Sequence, residues 1–300
     1  MFSFICFFLI RQLPGSVAYA IYGANAQRLT EEELLRIEHA ILSEKAFISQ
    51  YVDWLQQILK GNLGFSFSQQ QDVMQLIQQQ AIYTVLIVVV ALILVNVMIA
   101  CTVFILRRWQ HRFVKTTVES LLMLGMIVPG FWVGFLLLWI FAVKVQLFPL
   151  YGIGDRHFLS LLYHAILPSL TLALPAVFYG VKLIQDQILL IEKQPFMIHL
   201  QQRRISNWRM LRHYLPHIGL VLLQMNGIFV TSFLGGTIAV ETVFSIPGIG
   251  KLTLEATKLH DYPTLLMIIL LGLALILVVQ LLIDLLSCSI DPRVYKSLKD

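Results

Sequence analysis

Apolar residues fall along this chain in runs that are too long for the core elements of a water-soluble domain. No charged residue occurs in 73–106, in 120–143 or in 213–240. A helix of about 20 apolar residues crosses a hydrocarbon layer roughly 30 Å thick. The pattern therefore predicts five transmembrane helices, at roughly 82–106, 119–143, 165–186, 218–240 and 264–284.

A shorter apolar run, FSFICFFLI, opens the chain ahead of Arg11 and the turn signal Pro14-Gly15-Ser16. It is too short to cross a bilayer unaided, so residues 1–13 are interpreted as a shortened first transmembrane helix. A cleaved signal peptide is the alternative, but the run has neither a basic start nor a convincing small-residue cleavage site. We expect an all-α membrane protein with about six transmembrane helices, of which the first is short.

The segment 14–80 predicts a helical external segment between the first two spans. Thr30 followed by Glu33 is a capping-box signature, and apolar residues recur behind it at Leu34, Leu35, Ile37, Ile41 and Leu42. A second amphipathic stretch runs from about Ile48 to Leu59 and ends at Gly61.

Basic residues concentrate in three places that predict the cytoplasmic side, because Lys and Arg in short loops resist translocation. They are Arg107, Arg108, Arg112 and Lys115; Lys193, Arg203, Arg204, Arg209 and Arg212; and Arg293, Lys296 and Lys299. This distribution predicts cytoplasmic termini, a core over 81–284 and a cytoplasmic tail over 285–300.

Composition supports a membrane protein and excludes a water-soluble globule. The 300 residues are 58% hydrophobic and 13% charged, and the mean hydropathy is +0.77. The net charge of +5 does not indicate nucleic-acid binding, because no basic patch is interleaved with aromatic residues. The cysteines Cys6, Cys101 and Cys288 have no spacing typical of a metal site or a disulfide framework.

Sequence signals for catalysis are weak. GIGKL at 248–252 lacks the first glycine and the Ser or Thr of a phosphate loop, which excludes ATP hydrolysis by this chain. His213 and His217 could form a metal pair, but a helix-end or loop contact is the favoured alternative since no further ligands accompany them. The centres of the five spans contain no carboxylate, which disfavours proton- or ion-coupled transport.

Several separated motifs resemble one family of transporter subunits. They are LPGS at 13–16, QYVDWLQQILKGNLGFSF at 50–67, VPGFWVGFLLLWIFA at 128–142, ILPSLTLALP at 166–175, ETVFSIPGIGKL at 241–252, DYP at 261–263 and DP at 291–292. Together with LRHYLPH at 211–217, they resemble the oligopeptide/dipeptide/nickel permease family of ABC importers, in its first-named membrane subunit.

The resemblance implies a non-catalytic permease subunit in the bacterial inner membrane. Such a subunit pairs with a homologous second permease, two cytoplasmic ATPases that use ATP and Mg²⁺, and an external solute-binding protein that delivers a peptide. It binds no cofactor and no nucleic acid itself. Nickel or metal-chelate uptake and antimicrobial-peptide uptake are alternatives within the family, and an ATP-independent channel or secondary carrier is the alternative outside it.

The family's ATPase-coupling element maps to the cytoplasmic loop 187–217, with a short helix around Pro195 to Asn207. Its candidate residues are His199, Leu200, Arg203, Arg204, Ile205, Ser206, Arg209 and His213. The arginines could pair with acidic groups on an ATPase, or they could serve topology alone. The family's alanine pair and glycine are missing, since no Ala or Gly occurs between Gly180 and Gly219. A bulkier coupling contact is expected.

Candidates for the translocation path or an outer gate share a position near the external end of the fourth clear span or within it. They are Gln224, Asn226, Glu241, Pro247, Gly248 and Gly250. Polar side chains such as Asn96 and Asn226 could also simply hydrogen-bond between helices. Glu241 could contact a peptide amino group or a metal, or be an interfacial carboxylate, and Pro247 to Gly250 could be only a tight turn.

Overall fold

The structure is a computed structural model that describes residues 2–11, 30, 32–33, 36, 47–66, 68–108, 112–155, 157–203 and 207–290. It confirms the predicted all-α class, to which it adds one short β-hairpin. The helices are α1 (Phe2–Arg11), α2 (Phe47–Leu59), α3 (Val73–Arg108), α4 (Arg112–Ile127), α5 (Gly130–Leu137), a π-helix (Leu138–Lys144), α6 (Phe158–Glu192), α7 (Pro195–Gln202), α8 (Asn207–Val243), α9 (Ile249–Lys258) and α10 (Tyr262–Ile290). The strands are β1 (Phe65–Ser66) and β2 (Gln71–Asp72).

Within the described residues, four helices are long and apolar enough to cross a membrane. They are α3, α6, the Arg212–Val243 part of α8, and α10. They match four of the five full spans that the sequence predicts. The ten residues of α1 extend about 15 Å, and the predicted first transmembrane helix at 1–13 stays a prediction.

The prediction of one continuous helix at 119–143 is wrong, because the helix is interrupted at Pro129. Helix α4 ends at Ile127, and Pro129 takes the extended conformation φ −61°, ψ 134° before α5 begins at Gly130. Proline has no backbone N–H for a helical bond and drives the preceding residue out of helical geometry. The second half then continues through α5 into the π-helix, giving a shorter apolar helix over Gly130–Lys144.

Residues of the chain group into two compact units, and the first contains Met1–Val85, Thr237–Thr242 and Ile246–Leu275. Its apolar core joins α1 and α2 to the starts of α3 and α10. The buried members are Cys6, Phe7, Leu63, Val73, Leu266 and Met267. Three residues of α2, namely Tyr51, Trp54 and Ile58, pack against them.

Local signals in the segment 14–80 fold as predicted where the structure describes them. The Thr30 backbone N donates to Glu33 Oε2 at 2.9 Å, and the Glu33 N donates to Thr30 Oγ1 at 3.4 Å, which is a capping box. Helix α2 is followed by Gly61 at φ +85°, a conformation that suits glycine. The predicted apolar positions Leu34, Leu35, Ile37, Ile41 and Leu42 lie outside the described residues.

The second unit contains Leu86–Gly236, Val243–Ser245 and Ile276–Asp300. Helices α4 and α5 pack against α6. Helix α6 is also bonded to α3, since the buried Ser169 Oγ donates to the Ile87 carbonyl at 3.0 Å. A methyl group at Gly180 would lie 2.3 Å from Ile99 Cδ1, so α3 and α6 approach as closely as glycine allows.

Candidate functional site: the Glu241 cluster and the coupling segment

Glu241 lies near the end of α8 and is completely buried. Thr84 Oγ1 donates to its Oε1 at 2.6 Å, and the Lys251 backbone N donates to its Oε2 at 2.9 Å. The Ile249 N donates in turn to Thr84 Oγ1 at 2.8 Å. We call these residues together with Gly248 the Glu241 cluster. The bonds join α3, α8 and the first turn of α9.

The carboxylate of Glu241 caps the N-terminus of α9. Gly248 precedes that helix and has no side chain with which to bond the free amides of the first turn. Glu241 accepts from the amides of Gly250 and Lys251 instead. The first amides of a helix have no acceptor within the helix, so the position suits acceptor oxygens such as those of Glu241.

Glycine is required at two points beside Glu241. A Cβ on Gly248 would lie 2.3 Å from the Glu241 carboxyl group. A Cβ on Gly250 would lie 2.6 Å from the Ile238 backbone N, which cannot rotate away as a side chain could. The Pro247-Gly248-Ile249-Gly250 sequence thus allows α9 to start directly against α8.

Of the predicted path and gate residues, the structure brings Glu241, Gly248 and Gly250 together. Pro247 is half-buried in the same turn. With its oxygens occupied by donors of its own chain, Glu241 is placed to hold the turn. Its contact with a substrate stays a prediction.

Asn226 lies elsewhere, in a pair with Asn96. The two side-chain amides exchange hydrogen bonds of 2.7 and 3.2 Å between α3 and α8, and each also donates to the carbonyl four residues before it. Asn226 thus bonds between helices, and its role in the translocation path stays a prediction. Gln224 is exposed two residues away and is therefore not on the face that carries Asn226.

A second buried carboxylate, Asp261, was not singled out as a site residue from the sequence. It directly precedes α10 and accepts hydrogen bonds from Ser66 Oγ and from Ser68 Oγ, the latter at 2.6 Å. Its Oδ1 lies 3.5 Å from the Thr264 backbone N, as an N-cap residue does. Asp261 thus ties the hairpin region to the start of α10.

The segment in which the sequence predicts the ATPase-coupling element consists of α7 and its flanks, and we call it the coupling segment. Helix α7 ends at Gln202, earlier than the predicted Asn207, and the chain turns at Arg203. Met197 is fully buried and holds α7 in place, whereas His199 is exposed and Leu200 is half-buried. Of the remaining candidates, Arg203, Arg209 and His213 are exposed, and Arg204, Ile205 and Ser206 lie outside the described residues.

A charged cluster lies at the helix ends beside the coupling segment. Glu192, the last residue of α6, pairs with Arg107 near the end of α3 and accepts a hydrogen bond of 3.0 Å from Tyr214 Oη on α8. The Arg107 guanidinium carbon lies 6.0 Å from the centre of the Tyr214 ring. We call these three residues the Glu192 cluster. Sequence reasoning missed it, although Glu192 is the only acidic residue in 187–217.

The possible metal pair His213 and His217 gains no support in the part of the chain that the structure describes, where no group of three or more His, Cys, Asp or Glu side chains could hold an ion. The His217 ring lies 6.4 Å from the Phe196 ring of α7. His217 therefore makes a contact with the coupling helix.

Comparisons with known proteins agree with this architecture. Residues 99–295 match the model of the family described as "Binding-protein-dependent transport system inner membrane component". The chain is 30% identical over 298 residues to the probable peptide ABC transporter permease protein y4tP of Sinorhizobium fredii, covering 98% of this chain and 94% of the relative. It is 26% identical to the nickel import system permease protein NikB of Staphylococcus aureus, covering 97% and 86%.

A solved structure shares the fold. An inward-facing structure of the MetNI methionine ABC transporter aligns with a TM-score of 0.56 and 14% identity, over 72% of this chain and 97% of that one. With its apolar helices and the match over 99–295, this is a multi-pass membrane protein that belongs to the family of binding-protein-dependent transport system inner membrane components.

Proposed function

We propose that this chain is the permease subunit of an ATP-driven ABC importer that moves peptides delivered by an external solute-binding protein. The name of the relative that is 30% identical supports peptides as the substrate class. In this proposal the chain lies in the inner membrane with both termini in the cytoplasm, and it works with a second permease and two ATPases.

The observation that carries the proposal is the coupling segment. Helix α7 is short, lies between two long apolar helices, and is held by the buried Met197 while His199 faces outward. A short rigid helix anchored in this way can transmit a displacement of a partner protein to α6 and α8. Helix α7 is the part of the chain that would sit on an ATPase.

The described charges also favour an external energy source. Glu241 and Asp261 accept hydrogen bonds from Thr84, Ser66, Ser68 and the main chain, so neither is poised as a proton carrier. An ion- or proton-coupled carrier needs a carboxylate whose partners change during transport. Energy from partner ATPases fits the arrangement better.

Purification of the tagged chain from its native membrane tests the proposal. We expect a homologous permease and ATPase subunits to co-purify, and the complex in vesicles to accumulate peptide only when ATP and the binding protein are present. Uptake of nickel but not of peptide would contradict peptides as the substrate class and would favour a nickel importer. Uptake by the isolated chain without ATP would overturn the importer and favour a channel or carrier.

The two arginines after α7 provide a sharper test. The double variant Arg203→Ala/Arg204→Ala removes positive charge next to the coupling helix, so we expect weaker association with the ATPase and unchanged membrane insertion. The measurement is ATPase retained on the tagged permease in detergent at low salt. The matched control is Lys296→Ala/Lys299→Ala in the tail, which removes equal charge. Equal retention in both variants would contradict an electrostatic contact.

A further inference from the structure

Helix α2 has two neighbouring apolar strips, and within the described residues only one of them is covered by the protein. Tyr51, Trp54 and Ile58 pack into the core of the first unit. By contrast, Ile48, Val52 and Leu59 are 68%, 42% and 80% exposed. At about 100° per residue, these last three positions fall within about 40° of one another on the helix surface. They form a continuous stripe, which we call the α2 stripe.

We propose that α2 is an interfacial helix whose α2 stripe lies against the acyl chains of membrane lipid. The inference concerns how the chain sits in the bilayer, and it is independent of the substrate and of the ATPase.

The neighbours of α2 place it at the edge of the membrane. The core against which it packs includes Leu266 and Met267 of α10, and Leu270 packs there too. These residues lie about 6–12 Å along α10 from its start, by the 1.5 Å rise per residue. Helix α10 is long and apolar enough to cross a membrane, so α2 lies against the first turns of a spanning helix.

Helix α1 also packs against α2. Phe7 lies with its ring 5.0 Å from Trp54, and Ser3 Oγ and Tyr51 Oη are 2.8 Å apart. Ile5 and Leu9 of α1 are also apolar and exposed, at 39% and 58%. Helices α1 and α2 pack together and both expose apolar side chains.

The polar residues of α2 complete the pattern of an interfacial helix. Asp53 is exposed and lies about 100° or more around the helix from the α2 stripe, and Gln57 lies further round on the same polar side. A helix with a wide apolar arc and an opposite polar arc lies in the membrane plane, with its apolar side about 5–10 Å into the headgroup and acyl boundary. Lipid surrounds a membrane-spanning helix, so lipid at this depth would meet both α10 and the α2 stripe.

Fluorescence quenching in vesicles tests the proposal with the full chain. Single cysteines are placed at Ile48→Cys, Val52→Cys and Asp53→Cys, in a background without the native thiols (Cys6→Ala, Cys101→Ser, Cys288→Ser). Each is labelled with an environment-sensitive dye and reconstituted in phosphatidylcholine vesicles. We expect a lipid-attached nitroxide to quench positions 48 and 52 at least about twofold more than position 53, and aqueous iodide to show the reverse order.

The adjacent positions 52 and 53 are a matched pair, since they share the helix and differ only in the direction of the side chain. Leu59→Cys replaces either stripe position if that variant does not fold. Equal quenching by iodide at all positions would overturn the proposal. It would also be overturned if positions 48 and 52 became protected from iodide only after the external binding protein or a second permease was added, because the stripe would then be a protein surface.

Discussion

Two glutamates of this chain, Glu241 and Glu192, are held in opposite ways. Glu241 is fully buried and bonded to uncharged donors, namely the Thr84 hydroxyl and main-chain amides. Glu192 is 26% exposed and bonded to a cation, Arg107, whose side chain is 48% exposed. Removing a buried acceptor strands donors that water cannot reach, whereas an exposed ion pair is readily replaced by water. Breaking the hydrogen bonds of the Glu241 cluster should therefore cost more free energy than breaking the ion pair of the Glu192 cluster.

Replacement of Glu241 should produce the largest effect on stability. Glu241→Ala leaves Thr84 Oγ1 and the Lys251 amide without their acceptor, so we expect a loss of about 2–4 kcal/mol. Thermal unfolding of the purified protein in detergent measures it. The control is Glu255→Ala on α9, which removes an exposed carboxylate and should change stability by less than about 0.5 kcal/mol. Equal losses for both variants would show that the bonds to Glu241 contribute nothing specific.

Crowding at the same cluster can be tested through glycine. Gly250→Ala places a methyl group against the main chain of Ile238, and we expect a loss of about 1–3 kcal/mol. Gly272→Ala is the matched control within α10, because nothing lies within 4 Å of its new Cβ and alanine favours the helix. The same unfolding assay should show no loss for Gly272→Ala. A tolerated Gly250→Ala would mean that α8 and α9 can separate without penalty.

The Glu192 cluster should show the smallest effect on stability and a clear effect on coupling. Glu192→Arg places like charges together, so we expect less than about 1 kcal/mol of destabilisation. If the pair positions the coupling segment, peptide uptake per ATP falls in this variant and recovers in Arg107→Glu/Glu192→Arg. The unfolding assay and a transport assay on the assembled complex separate the two effects. If peptide uptake per ATP does not recover in the double variant, the ion pair has no role in coupling.

Short-range features of the fold could be predicted from the sequence. The limits of α2 follow from its amphipathic pattern and from Gly61, and the Thr30–Glu33 capping box from residues three apart. The break at Pro129 was missed because apolar residues continue on both sides of it. Pro168 and Pro175 lie inside α6 without ending it, so proline alone did not mark the break.

The site was harder to predict because its bonds join distant parts of the chain. Glu241 and the glycines after it are close in sequence, and their grouping was expected. Thr84 lies 157 residues from Glu241, and Ser66 lies 195 residues from Asp261. A single sequence contains no periodic signal for such pairs. Glu192 had a weak signal as the only acid in 187–217, but nothing identified Arg107 as its partner.

The π-helix after α5 changes the angle between successive side chains around the helix axis. The Val145 amide bonds to the Ile140 carbonyl five residues back, so the hydrogen-bonded ring contains one residue more than in an α-helix. Side chains five apart then share a face, and the Lys144 ammonium lies 5.5 Å from the centre of the Trp139 ring. A helical wheel drawn through 130–144 with one constant angle would place these two residues far apart. The exposed and buried positions of this segment therefore follow two helical periods, which meet at Leu138.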